Sequence, residues 1–260
     1  MEFKKELEIM LEAAKAASLN IMEYYKKGFH VEIKDDNSPV TEADKTTDKL
    51  IREKLGKAFP TYSFLTEESL DDKSRLNNDY VFIVDPVDGT EDFVHHYDEF
   101  TCNIALSYKH EAVVGVIAVP CKNLIYYAVK GEGAYKLDLN TNELTKIHVN
   151  DKKTNLTALK SRFHAYEAEE EVYKKYKDRI TNVIPVGSTC KACRIAEGNA
   201  ELSYRLKRGT KEWDTAAFQI LVEEAGGYVL TLDKKRMMYN REDVYNGTYI
   251  ILNNLDNWLL

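Results

Sequence analysis

The residues best suited to chemistry in this chain lie in one stretch, Asp85-Pro86-Val87-Asp88-Gly89-Thr90-Glu91-Asp92-Phe93. The run before it, Tyr80-Val81-Phe82-Ile83-Val84, is apolar and rich in β-branched or aromatic residues, which predicts a buried strand with Asp85 at its carboxyl end. Pro86 is expected to end that strand and turn the chain, so that Asp88 returns beside Asp85 with the Val87 carbonyl between them. Two carboxylates that close cannot both ionise cheaply without a cation; otherwise one pKa rises strongly. A ligand set made only of oxygens suits a hard divalent ion such as magnesium, which also accepts phosphate oxygens. Gly89 permits a close backbone approach, and Thr90 is expected to open a short helix whose free amides could receive an anion. Asp-Gly is also a common turn signal, and this stretch by itself fits an acidic turn as well as a metal site.

Three further carboxylate positions need elements to hold them. Thr41 is expected to cap a helix through Leu50, Ile51 and Leu55 to about Phe59, with Asp44 completing a capping-box arrangement. Pro60 breaks that helix, and Tyr62-Ser63-Phe64-Leu65 predicts a strand ending at Thr66-Glu67-Glu68-Ser69. Glu67 and Glu68 thus repeat the situation of Asp85, although a Glu-Glu pair is commonly a solvated loop. Asp214 is expected to cap a helix that is apolar on nearly every side, and Gly226-Gly227 stops it. A carboxylate at the mouth of a buried helix is costly unless a charge meets it.

The remaining elements form a frame. Leu7, Met10, Leu11, Ala14, Ala17 and Ile21 recur at helical spacing before Gly28, and 31–34 reads as a short strand followed by a loop at 35–39. Three β runs at 101–108, 113–119 and 124–129, with turn-sized gaps, predict an antiparallel meander, and a hairpin follows near 138–142. Gly131-Glu132-Gly133 is a tight turn rather than a nucleotide loop, because no helix follows it. Beyond a lobe boundary near 150–155, strands at 156–159, 183–186 and 200–205 alternate with helices at 166–177 and from 187 to about 198, which implies an α/β lobe. Glu170-Lys174 and Glu171-Lys175 sit at the spacing of a solvated helix face.

The chain of 260 residues carries a net charge of −7, against a general electrostatic affinity for nucleic acid or basic attachment to membranes. No run is long enough to span a bilayer, and the start lacks a secretory signal, so a cytoplasmic protein is expected. Cys102, Cys121, Cys190 and Cys193 are too few for a disulfide framework and are read as reduced thiols. Cys190 and Cys193 have zinc or redox spacing but fall on one face of an expected helix, where packing is the better account. His95-His96 follows the expected short helix, where imidazole can meet free carbonyls.

Taken together, Val40-Thr41-x-x-Asp44, Glu67-Glu68-Ser69, Asp85-Pro86-x-Asp88-Gly89-Thr90-x-x-Phe93 and Trp213-Asp214-x-Ala216-Ala217 resemble the inositol monophosphatase superfamily over almost the whole chain. The resemblance implies an α/β fold, an alternating α-β-α-β-α sandwich in two lobes, 1–150 with most metal ligands and 151–260 with specificity residues and Asp214. It implies two or three magnesium ions and inhibition by lithium. Glu67, Asp85 and the Val87 carbonyl would hold one ion and Asp85, Asp88 and Asp214 a second. The Gly89 and Thr90 amides would bind the scissile phosphate, while Thr90 and Asp44 help deprotonate water.

Ser161-Arg162-x-His164, Gly187-Ser188-x-x-Lys191, Ala196-Glu197-Gly198 and Arg205 are most similar to the bisphosphate nucleotidases of that superfamily. There the equivalents of His164, Ser188, Lys191 and Arg205 surround the nucleotide and its second phosphate. Residues 187–212 hold six Lys or Arg against three Glu, a local excess of positive charge that fits such a group. The implied substrate is adenosine 3',5'-bisphosphate, a small phosphate ester. Glu91 stands where those nucleotidases usually carry Lys, which keeps an inositol or sugar monophosphate as the alternative. A catalytically idle metal- or nucleotide-binding regulator is the rival of a different class, and monomer and homodimer remain open.

Overall fold

The computed structural model describes residues 2–33 and 39–260. Its elements run α1 (Lys4–Lys27), β1 (Val31–Ile33), β2 (Pro39–Thr41), α2 (Glu42–Ala58), β3 (Ser63–Thr66), β4 (Tyr80–Asp88), α3 (Thr90–Val94), β5 (Thr101–Tyr108), β6 (Glu111–Val119), β7 (Leu124–Val129), β8 (Gly133–Asp138) and β9 (Leu144–Ile147). There follow β10 (Leu156–Ser161), α4 (Glu167–Lys175), β11 (Ile180–Val186), α5 (Cys190–Ala196), β12 (Leu202–Arg205), α6 (Glu212–Glu224), β13 (Tyr228–Thr231) and β14 (Tyr249–Leu252). The loop expected at 35–38 lies outside the described residues, whereas Pro39 opens β2.

A seven-stranded sheet in the order β3-β4-β5-β6-β7-β8-β9 and a five-stranded sheet in the order β11-β10-β12-β14-β13 form the two β layers. Every strand of the larger sheet precedes residue 150 and every strand of the smaller one follows it. The period of two in the strands deals side chains to successive layers. In β4, Phe82 and Val84 join the core beneath α1 and α2, while Val81 and Ile83 join the core around α6. In β14, Tyr249 and Ile251 face α6, and Ile250 and Leu252 face α4. The result is an α-β-α-β-α sandwich with α5 and α6 as its filling.

Helix α6 is the element both sheets need. Ten of its residues are buried, Trp213 and Phe218 among them, as expected for a helix without a polar face. It lies so close to β6 that a Cβ at Gly115 would stand 2.3 Å from the Ala217 carbonyl oxygen, so a side chain there would force the layers apart. By contrast α1 buries one stripe, Leu7, Met10, Ala14, Ala17 and Ile21, whose small residues let it pack on α2.

Helix α4 differs from its sequence reading. It does more than present a solvated face: Val172, Tyr173 and Glu169 are buried, Glu170 pairs with Lys160 of β10 rather than one turn along the helix, and Glu169 accepts the Leu206 N–H at 3.1 Å.

Candidate active site

Parallel pairing of β3 with β4 sets Thr66 opposite Val84, so Glu67 leaves its strand beside Asp85. Carboxyl ends of neighbouring parallel strands are where α/β proteins place their ligands. Strand β4 does not stop at Pro86, as the sequence had led us to expect, but continues to Asp88. Opposite it, Asp85 faces Asn103 and Asp88 faces Thr101, so three steps along β4 match two along β5 and one residue is a bulge. In an unbroken strand Asp85 and Asp88 would point to opposite faces; the extra residue returns them to the same one. Val84 and Val87, also three apart, carry the same signature, for both lie in the core beneath α1 and α2. Pro86 is tolerated because β3 makes its last pair at Val84, leaving no ladder bond for it to miss.

Helix N-termini supply the other groups. Gly89, with φ of 88°, turns the chain into α3, so that Thr90 is its first residue as expected. Asp44 takes the third position of α2, where its Oδ2 accepts the Thr41 N–H at 2.7 Å and hydroxyl at 2.6 Å. Its Oδ1 accepts the Thr90 hydroxyl at 3.3 Å, so the capping carboxylate also faces the site. Asp214 is not the N-cap of α6; Lys211 is, and Asp214 sits three residues on and accepts the Lys211 N–H at 2.6 Å. Helices α2, α3 and α6 thereby turn positive dipole ends toward a place where carboxylates gather.

Ligand oxygens of Asp85, Asp88 and Asp214 lie within 4.8 Å of one another. With Glu67, Val87 and Thr90 they line a cavity of about 460 Å3. Burial first, and then the charges of Glu67, Asp88, Asp214 and Asp44, hold the Asp85 carboxyl far above its usual pKa. Burial, followed by Asp88 and Glu67, pushes Asp214 up to about 8. Asp85 Oδ1 is buried with no hydrogen-bond partner. Asp88 instead has one oxygen saturated: Oδ2 accepts the Ser188 hydroxyl at 2.5 Å and both the N–H and hydroxyl of Thr189 at 2.7 Å. An unpaired buried carboxylate oxygen among like charges fits a hard cation, and this donor set holds nothing but oxygen.

His164, Ser188, Lys191 and Arg205 line the same cavity. They are less free than their sequence reading implied. The Ser188 hydroxyl is committed to Asp88, and Lys191 donates to the carbonyls of Ser188 at 2.6 Å and Val186 at 3.3 Å. Burial lowers the Lys191 pKa. Arg205 covers the Tyr166 ring at 4.9 Å and donates to the His164 carbonyl at 3.1 Å. His164 Nε2 is 3.3 Å from the Glu91 carboxylate on the cavity wall. Of the six cations in 187–212, Lys191, Arg205 and Lys211 line the cavity, whereas Arg194 turns to Glu99 and Arg208 to Asp243.

Sequence reasoning missed Thr189, Thr101 and Asn103, which support Asp88, and Tyr166 and Tyr245, which line the cavity. Thr101 and Asn103 did leave a signal: polar residues two apart at the start of a largely apolar strand face one side together. Cys190 and Cys193 are buried free thiols, consistent with packing. Among the described residues the acidic trio is the one grouping of three or more such side chains able to hold a metal. His95 stacks on Phe163 at 5.6 Å and His96 meets Tyr25 in a tilted contact at 4.6 Å, an aromatic role in place of the expected carbonyl capping.

A layered sandwich whose acidic residues converge at the ends of parallel strands defines a class, and comparison with known proteins identifies it. Residues 4–259 match the inositol monophosphatase family, and the chain belongs to that family, whose enzymes use divalent metals. Within it, the chain is 33% identical over 239 residues to the 3'(2'),5'-bisphosphate nucleotidase CysQ of Haemophilus influenzae, covering 90% of this chain and 87% of that one. The crystal structure of CysQ from Bacteroides thetaiotaomicron superposes with a TM-score of 0.83 at 32% identity, covering 97% of this chain and 99% of that chain. Inositol monophosphatase 2 of Solanum lycopersicum is 32% identical over 235 residues, covering 86% of each chain. Identity alone therefore does not divide the two substrate classes.

Proposed function

We propose that this protein is a magnesium-dependent phosphomonoesterase that removes the 3'-phosphate of adenosine 3',5'-bisphosphate, giving AMP and inorganic phosphate. The observation that carries the reading is the convergence of Asp85, Asp88 and Asp214 around an unpaired, buried Asp85 oxygen. Glu67, Asp85 and the Val87 carbonyl would hold one ion, and Asp85, Asp88 and Asp214 a second. When bound, such ions supply the positive charge that lets the carboxylates ionise together and lower the pKa of water.

The chain's own groups do the rest. The Thr90 hydroxyl, 3.3 Å from Asp44 Oδ1, relays a proton from water to that carboxylate. The Gly89 and Thr90 amides orient the scissile phosphate at the start of α3. Lys191, Arg205 and Lys211 offset the charge of a second phosphate, and the Tyr166 and Tyr245 rings flank the cavity that takes the nucleoside. The relatives named as CysQ nucleotidases support this choice. Free thiols at all four cysteines support a cytoplasmic, reducing location.

One observation favours a second reading. The Glu91 carboxylate on the cavity wall disfavours another anion nearby and suits a polyol monophosphate. Phosphate release from adenosine 3',5'-bisphosphate and from inositol 1-phosphate, each with magnesium and with EDTA, decides between them. Higher kcat/KM on the nucleotide, abolished by EDTA and reduced by lithium, is the expected result. Equal rates with and without metal would overturn the mechanism, and preference for the inositol ester would overturn the substrate.

A further inference from the structure

Two turns from distant parts of the chain interlock beside Asp88. A Cβ at Gly89 would stand 2.9 Å from Ser188 Cβ, and one at Gly187 would stand 2.5 Å from the Asp92 carboxylate, so each glycine admits a group from the other turn. Ser188 occupies the left-handed region at φ of 52°, a conformation that a non-glycine residue keeps only when its surroundings impose it. The 187–189 turn nonetheless delivers three hydrogen bonds to one oxygen of Asp88.

One anchor of the turn is Glu99, on the segment between α3 and β5. Its Oε2 accepts the Gly187 N–H at 2.9 Å and an Arg162 guanidinium N–H. Its Oε1 accepts Arg194 at 2.7 Å. Arg162 also donates to Asp92 at 3.1 Å. All three donors to Glu99 belong to the second half of the chain and the acceptor to the first. The mostly buried carboxylate therefore fixes the 187–189 turn against the strand that carries Asp88.

We propose that Glu99 is a positioning residue: by anchoring the 187–189 turn it sets the direction of the Asp88 carboxylate and hence the strength of divalent-metal binding. The inference rests on the divalent-metal reading above. Partners of a ligand carboxylate commonly govern affinity and activity by about tenfold or more.

Glu99→Gln keeps the shape but replaces one acceptor oxygen with a donor that faces donors. In metal-free protein, amide hydrogen exchange at 187–189 should accelerate at least tenfold. Magnesium affinity measured by calorimetry without substrate should fall about tenfold, with kcat reduced and KM for the ester nearly constant. In a Thr189→Val background, which removes one of the three hydrogen bonds from the turn to Asp88, the same change should weaken magnesium binding by a smaller factor than it does in the unaltered protein. Val172→Ala, on the buried face of α4, serves as a destabilised control expected to leave exchange at 187–189 and magnesium affinity as in the unaltered protein.

Unchanged exchange and magnesium affinity in Glu99→Gln, or full additivity with Thr189→Val, would overturn the positioning role while leaving the metal reading intact. Failure of the unaltered protein to bind magnesium would remove both the metal reading and the link from turn to metal, even if exchange responds.

Discussion

Two largely enclosed acidic clusters neighbour each other in this protein and have opposite electrostatics. Asp85, Asp88 and Asp214 face one another with no arginine among them, and both Asp85 and Asp214 are pushed far up in pKa. Asp92 and Glu99 meet two guanidiniums, those of Arg162 and Arg194. Even so, burial pushes Asp92 to about 6, against the pull of Arg162. The fold thus turns two guanidiniums onto one cluster, whereas at the other the charge of Lys211 draws Asp214 down but is outweighed by burial and by Asp88 and Glu67. A cluster whose like charges outweigh its cations suits a further positive charge that the chain does not supply.

The sharpest way to break this contrast is to neutralise one carboxylate of the uncompensated set. Asp88→Asn is expected to lower kcat/KM by about a thousandfold or more while leaving the circular-dichroism spectrum unchanged. An active variant would remove Asp88 from the metal set.

Next in size is the response to pH and metal. Because the folded-state pKa of Asp214 lies near 8, above its usual 3.8, the stability it contributes is complete below about 4 and is lost as pH rises through about 8. The melting temperature of EDTA-treated protein should accordingly drop between pH 6 and 9. Magnesium, which needs the ionised carboxylates, should raise that temperature more at pH 8 than at pH 6 and release protons on binding. Stabilisation that is flat with pH would count against this account.

At the compensated cluster the sign reverses. Arg162→Met should cost about 2 kcal/mol, because it strands Asp92 and Glu99 without their shared donor, lowering the midpoint by roughly 4–8 °C in differential scanning calorimetry. The smallest effect is expected from Asp214→Asn in metal-free protein: a gain of about 1 kcal/mol, or roughly 2–4 °C, from relief of like-charge repulsion. A loss of stability there would mean that the hydrogen bond to Lys211 outweighs the repulsion.

Much of the site was legible because its residues announce themselves locally. An apolar run ending in Asp85, a Thr-to-Asp spacing at Thr41 and Asp44, and a helix without a polar face after Asp214 each follow from short-range patterns. What misled was also local. Pro86 looked like a strand end because proline lacks a donor, but a bulge at the edge of a neighbour's reach needs none there. Tyr166 and Glu169 looked like parts of a solvated face because helical charge spacing does not reveal that the second sheet lies beneath.

From sequence alone came the element types, the layered α/β class, the acidic residues and their resemblance to a phosphatase family, since strand and helix periods and short motifs depend on neighbours along the chain. Tertiary structure decided which faces met: that one extra residue in β4 aligns Asp85 with Asp88, that Asp214 arrives from over a hundred residues away, and that Glu99 joins two arginines. Charge compensation is a property of distances through space, and no pattern along the chain reports which carboxylate will find a guanidinium.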